Sequence, residues 1–171
     1  MGVKLVVEKL FPDAKLPVQK NKDDVGLDVT MHNISRIYRH IGGNSEQQLK
    51  SDDAIKNYLV DKGLELQYLE RALIGTGIKA TAGPGYEIQV RPRSGLALKQ
   101  GLTVLNTPGT IDPGYRDEIG VIIINLSRKV QRLEFGERIA QLVIKPITEV
   151  EIVEGKLDSE DRGGGFGSTG K

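Results

Sequence analysis

Apolar runs in this chain are short, and glycine or proline stands at almost every break between them. The 171 residues hold 21 glycines and seven prolines. A chain interrupted this often cannot sustain long helices. It suits many short strands closed into an all-β sandwich or barrel. Residues 4–10, KLVVEKL, read as a first strand. Residues 85–93, GYEIQVRPR, alternate through Tyr86, Ile88 and Val90, which sends those side chains to one face. Residues 118–126, EIGVIIINL, are almost continuously apolar, as in a strand buried on both faces. Residues 131–147 supply two more strands around a turn at Gly136. At this length a single domain over residues 1–171 is expected.

One segment breaks the strand pattern. In residues 44–63, NSEQQLKSDDAIKNYLVDKG, Ser45 and Gln48 match a capping box. Asp52 or Asp53 would cap a second helix with Ile55, Tyr58 and Leu59 on one face. Gly63 would be its stop. The segment reads as a short helical insertion between strands.

Charge and composition exclude several function classes. Lys plus Arg is 24 against 23 for Asp plus Glu, a net charge of +1. Dedicated nucleic-acid binders carry a large basic excess, so no stable nucleic-acid binding is expected. Cysteine is absent, which removes disulfides and thiolate-bound zinc, and His32 and His40 are too few for a histidine-rich metal centre. The opening MGVKLVVEKLFPD carries charges throughout, unlike a signal peptide or membrane span. A cytoplasmic location is expected.

Five stretches are too polar and glycine-rich for ordinary strand. RPRSG, residues 91–95, sets a fixed cation and a hydroxyl at the start of a short helix. Arginine forks and free helix N–H groups both bind phosphate, although a capped surface helix reads the same way. GTIDPGY, residues 109–115, puts Asp112 between a strand and a Pro-Gly turn. That aspartate is either a turn former or a general base, with Tyr115 within reach of a flat ligand. Asp24 and Asp28 flank VGL and can hold hydrated Mg²⁺ or be solvated loop charges. Gln141 alternates with apolar residues and is either a core amide or a ligand contact, while Arg138 reads as a structural ion pair. The last stretch, SEDRGGGFGSTGK at residues 159–171, is a glycine-rich end with Arg162, Phe166, Ser168 and Thr169. Chain ends are commonly disordered, but a lone ring and two hydroxyls fit a plain disordered end poorly.

Taken in order, VGLDV, PRSGLA, GTIDPGY, ERIAQLV and RGGGFGSTG resemble the five motifs of the trimeric dUTPase family, the deoxyuridine triphosphate nucleotidohydrolases. The resemblance runs from residue 4 to residue 170 and leaves out about residues 41–66. It implies a jelly-roll-like (β-clip) subunit, a homotrimer with active sites shared between chains, and hydrolysis of dUTP to dUMP and pyrophosphate with Mg²⁺. Asp112 would orient the attacking water. Asn106 and the backbone of the hairpin through Thr110 and Ile111 would read uracil, and Tyr115 would pack under the deoxyribose and exclude a 2′-hydroxyl. Arg93, Ser94 and Gly95 would bind phosphates, Gln141 the α-phosphate region, and Asp28 the Mg²⁺ through water. The arm, about residues 155–171, would be a mobile lid. In it Arg162, Ser168 and Thr169 would meet the γ-phosphate, with Gly167 beside them, and Phe166 would stack on uracil.

Two departures stand out. Asp117 occupies the place of a usual family glycine, and the segment at 41–66 offers a possible protein-partner surface. A dCTP deaminase, a relative with a similar turn, needs a glutamate ten residues beyond the turn aspartate. Ile122 stands there. A third reading is a regulatory protein that has kept the fold.

Overall fold

The structure is a computed structural model that describes residues 2–40, 46–49, 55, 59–60 and 63–157. Its strands are short and antiparallel, as the glycine and proline punctuation requires. In chain order they are β1 (Val6–Lys9), β2 (Leu27–Thr30), β3 (Asn33–His40), β4 (Glu46–Leu49), β5 (Leu59–Val60), β6 (Gly63–Leu66), β7 (Arg71–Gly75) and β8 (Ile78–Thr81). They continue with β9 (Tyr86–Pro92), helix α1 (Ser94–Gln100), β10 (Leu102–Val104), β11 (Gly109–Ile111), β12 (Gly120–Asn125), β13 (Gln131–Glu134) and β14 (Arg138–Pro146).

The pairings form a jelly-roll-like all-β body. One sheet runs β11-β9-β14-β2 and another β10-β12-β7-β3-β4, with the smaller sheets β13-β6-β5 and β1-β8 beside them. Strand β12 lies between β10 and β7, and Val121, Ile123, Ile124 and Asn125 are buried. That is the two-sided burial its apolar run foretells. Alternation on β9 buries Ile88 and Val90 as expected, and Leu142 and Val143 of β14 join the same core. Each such side chain contributes about 1.5–3 kcal/mol through burial. Gly136, at φ +82°, makes the turn between β13 and β14. No helix among the described residues is long and apolar enough to cross a membrane.

The helical reading of residues 44–63 fails at both ends. Glu46–Leu49 is a strand whose register sets Leu49 against Ile37 and Gln48 against Tyr38 of β3. The Gln48 amide donates to the Tyr38 hydroxyl. Strand pairing and burial of Leu49 override a local capping pattern. Gly63 opens β6 instead of stopping a helix. A Cβ there would lie 2.9 Å from the Leu133 carbonyl oxygen, so glycine is what lets β6 meet β13. Leu64 and Leu66 are fully buried, so residues 63–66 belong to the body of the fold. Ile55 is helical and buried, as the second expected helix requires. Ser45, Asp52, Asp53 and Tyr58 lie outside the described residues.

Candidate active site

Most of the described sequence-selected residues line two clefts that share no lining residue, while Asp112, Ser94 and Gly95 line neither. The first cleft is built on β11. Pairing with β9 sets Gly109 opposite Val90 and Ile111 opposite Ile88, and Asn106 precedes the strand across a cis Thr107-Pro108 bond. A Cβ on Gly109 would lie 3.2 Å from Asn106 Nδ2. Glycine therefore lets the amide lie close over the strand. Asn106, Thr110, Ile111 and Tyr115 line a cleft of about 140 Å³. Asp112 follows β11 directly and is exposed. Its carbonyl accepts the Tyr115 N–H at 3.1 Å, and the Tyr115 hydroxyl donates to the Glu118 carbonyl at 2.9 Å.

Burial of that hydroxyl, and then the carboxylates of Asp117 and Glu118, raise the Tyr115 pKa above the usual phenol value. The native chain thus holds the proton to higher pH than the unfolded chain does. The resulting stability is fully present below the unfolded phenol value and is lost as pH rises through the native one. Thermal melts between about pH 9 and 11 should show a steeper alkaline loss for the parent than for Tyr115→Phe. Equal slopes would remove this group from the pH response. Asp117 needs no special backbone, because Leu69 is the one non-glycine with positive φ among the described residues.

The second cleft, about 320 Å³, is lined by Lys20, Asp24, Gly26, Asp28, Arg93, Arg138 and Gln141. Register aligns Gln141 of β14 with Asp28 of β2 on one side and Arg91 of β9 on the other. Arg93 Nε donates to Asp28 Oδ1 at 3.0 Å, and Arg138 Nη1 to Oδ2 at 2.9 Å. Arg138 is thus the ion-pair residue it was read as, but at the cleft itself. Gln141 Nε2 donates to the Pro92 carbonyl at 2.9 Å. Ser94 and Gly95 are exposed at the start of α1, whose N-cap Arg93 makes no side-chain capping bond. Asp24 closes a local turn by accepting the Asn21 backbone N–H at 2.8 Å and its amide at 2.9 Å. Three cations against two carboxylates leave this cleft one positive charge, which suits an anion.

A family model for dUTPase matches residues 45–170. The deoxyuridine 5'-triphosphate nucleotidohydrolase of Hydrogenobaculum sp. is 45% identical over 170 residues, covering 98% of this chain and 99% of that protein. This chain belongs to the dUTPase family. The Clostridium tetani relative of the same name is 46% identical over 98% of this chain and 97% of its own length. Among solved structures, a Staphylococcus bacteriophage 80alpha dUTPase with dUpNHpp superposes with TM-score 0.70 at 26% identity, covering 98% of this chain and 99% of that one. A phage phi11 dUTPase of S. aureus shares the fold, at TM-score 0.66 and 21% identity, with 91% and 98% covered.

Size does not mark the site in this dUTPase. A cleft of about 460 Å³ between Asp13, Lys15, His32 and Phe135, roomier than either of the two site clefts, is lined by none of the motif residues. Two lining residues of the second cleft escaped the sequence reading. Nothing in the sequence singles out Lys20. Gly26 matters through contact: a Cβ on it would lie 1.9 Å from Gln141 Oε1, so glycine is what gives the Gln141 amide its place. Arg162, Phe166, Gly167, Ser168 and Thr169 lie outside the described residues. No three His, Cys, Asp or Glu converge among the described residues. A cleft with one central carboxylate does not cage a metal by itself. It fits an Mg²⁺ that arrives on substrate phosphates and keeps most of its waters.

Proposed function

We propose that this dUTPase hydrolyses dUTP to dUMP and pyrophosphate by a water that Asp112 orients toward the α-phosphorus. The observation that carries the reading is the placement of an exposed carboxylate next to a base-sized cleft, in a chain whose other motif residues make a separate cationic cleft. Asn106 offers an amide donor and acceptor, and Thr110 and Ile111 offer backbone groups, to the edge of uracil. Tyr115 forms the wall beneath the deoxyribose. Arg93 spends Nε on Asp28 and Nη1 on the Arg138 carbonyl, which leaves Nη2 for a phosphate oxygen. Ser94, Gly95 and the second N–H of Gln141 complete the phosphate donors. Asp28 would hold Mg²⁺ through water, and the ion would supply charge neutralisation on the phosphates. Asp112 draws the proton as the water oxygen bonds to the α-phosphorus, and the bond to the bridging oxygen breaks to release pyrophosphate. Arg162, Ser168 and Thr169 meet the γ-phosphate, with Gly167 giving close backbone approach, and Phe166 covers uracil.

Because the two clefts have separate linings, a homotrimer with sites shared between chains suits this chemistry. Residues 147–157 leave Ile152 and Leu157 more than nine-tenths exposed. Exposed apolar side chains of this kind suit a path across another copy. The enzyme acts in the cytoplasm.

Pyrophosphate release from dUTP, dCTP and UTP, each with and without Mg²⁺, tests the reading. Strong release from dUTP alone, dependent on Mg²⁺, is expected. Ammonia from dCTP, or no release from dUTP, would overturn it. Gly26→Ala tests the placement of Gln141. It should lower kcat/KM for dUTP by about tenfold or more, as misplaced groups do. Adding Gln141→Ala to it should cost little further, since the two act through one contact. Full additivity would separate them.

A further inference from the structure

The loop from Asp112 to Glu118 carries both the carboxylate and the ring of the site, yet most of it is exposed. Its far end is tied down by one oxygen. Glu118 Oε1 accepts Asn33 Nδ2 at 2.8 Å and the Gly77 backbone N–H at 2.7 Å. The next residue continues the anchor. Ile119 N–H donates to the Ile78 carbonyl at 2.8 Å, and its own carbonyl accepts the Thr76 hydroxyl at 2.7 Å. Gly75 lies against the pair: a Cβ there would be 2.3 Å from Asn33 Oδ1 and 2.4 Å from Glu118 Oε1. Only glycine leaves room for the contact. The Glu118 carbonyl then receives the Tyr115 hydroxyl.

The surroundings of Tyr115 show why this matters. Tyr115 lines both the base-sized cleft and an outer cleft of about 240 Å³ whose lining includes Val6, Lys79, Thr81 and Arg116. It is 38% exposed. A side chain that borders two clefts and is this exposed is held only partly by packing. Its hydroxyl ties it to the Glu118 carbonyl; the peptide of that carbonyl is held through the Ile119 N–H, and the Glu118 side chain is held by Asn33 and Gly77.

We infer that Asn33, Gly77 and Glu118 form a clamp that positions Tyr115 and thereby sets the preference for deoxyribose over ribose nucleotides. The inference rests on the sugar-facing role proposed for Tyr115. With the clamp intact the ring stands as a wall where a 2′-hydroxyl would go. With the clamp broken it can tilt into the outer cleft, which opens that space. Asn33 and Glu118 touch no substrate in this account; they are positioning residues.

The test is the ratio of kcat/KM for dUTP to that for UTP, alongside thermal melts, in the parent, Asn33→Ala, Glu118→Ala, Glu118→Gln and Tyr115→Ala. Asn33→Ala and Glu118→Ala should lower the ratio by roughly tenfold, the upper scale of one lost hydrogen bond. Glu118→Gln should keep the parent ratio, because its amide oxygen accepts the same two N–H groups. A purely structural role would lower both substrates together and leave the ratio alone. If Glu118→Ala does not fold, Asn33→Ala decides, since it removes one donor only. Should Tyr115→Ala lower the ratio while folded Asn33→Ala leaves it unchanged, the clamp is overturned and the role of Tyr115 stands. Should Tyr115→Ala leave the ratio unchanged, the sugar-facing role fails and the clamp inference fails with it.

Discussion

Asp112→Asn should cut dUTP turnover by ~10²-fold or more, the usual scale for loss of a general base, while the protein melts and binds nucleotide as the parent does. The structure supports both halves of that expectation. The Asp112 side chain is exposed, and its carboxylate has no hydrogen-bond partner among the described residues. Exposed substitutions of this kind stay within about 0.5 kcal/mol of neutral stability. Asparagine keeps the shape and the turn, and it leaves the Asp112 carbonyl that receives Tyr115 N–H untouched. What it removes is the capacity to take a proton. The measurements are single-turnover hydrolysis of dUTP and calorimetric binding of a non-hydrolysable dUTP analogue with Mg²⁺. Parent-rate hydrolysis by the variant would rule Asp112 out as the base. Loss of binding equal to the loss of rate would make it a ligand contact instead.

The role of Asp112 as base came only with the family resemblance, but its position between a strand and a Pro-Gly turn was legible, and the structure keeps that local order. The same holds for β9, for β12 and for the Gly136 turn, whose periodicity and punctuation are local signals. The two ends of residues 44–63 were misread for the converse reason. Leu49 and Gly63 are drawn into strands by partners on β3 and β13, and local cap and stop signals carry no information about them. The site divides in the same way. Arg93 and Gln141 stand in recognisable stretches. The contacts that orient them, Asp28 between two guanidiniums and Gly26 beneath an amide, join residues from three distant parts of the chain. The clamp was the least legible feature, because Asn33 and Glu118 are 85 positions apart and Asn33 belongs to no motif.

Removing residues 162–171 should lower kcat/KM for dUTP by about 10²-fold or more while leaving the fold and the assembly in place. The deleted stretch has one large apolar side chain, Phe166, so the body of the fold has little core area to lose. Its chemistry is another matter. Stacking of one base on an aromatic ring contributes about 1–3 kcal/mol, and hydrogen bonds from a charged donor such as Arg162 about 1.5–3 kcal/mol. Every ~1.4 kcal/mol of transition-state stabilisation is a factor of ten in rate. Phe166→Ala should therefore lose the stacking share alone. Arg162→Ala should weaken the triphosphate more than dUMP, which has no γ-phosphate. Where the arm acts can be tested by complementation. The truncated chain keeps Asp112 but lacks the arm, and full-length Asp112→Asn has the arm but lacks the base. If each site joins the base of one subunit to the arm of another, co-expressing the two should restore hydrolysis well above the sum of the separate activities. An arm that folds back on its own subunit leaves every site in the mixture incomplete, and no recovery follows. Normal turnover by the truncated chain alone would make the glycine-rich end a mere terminus.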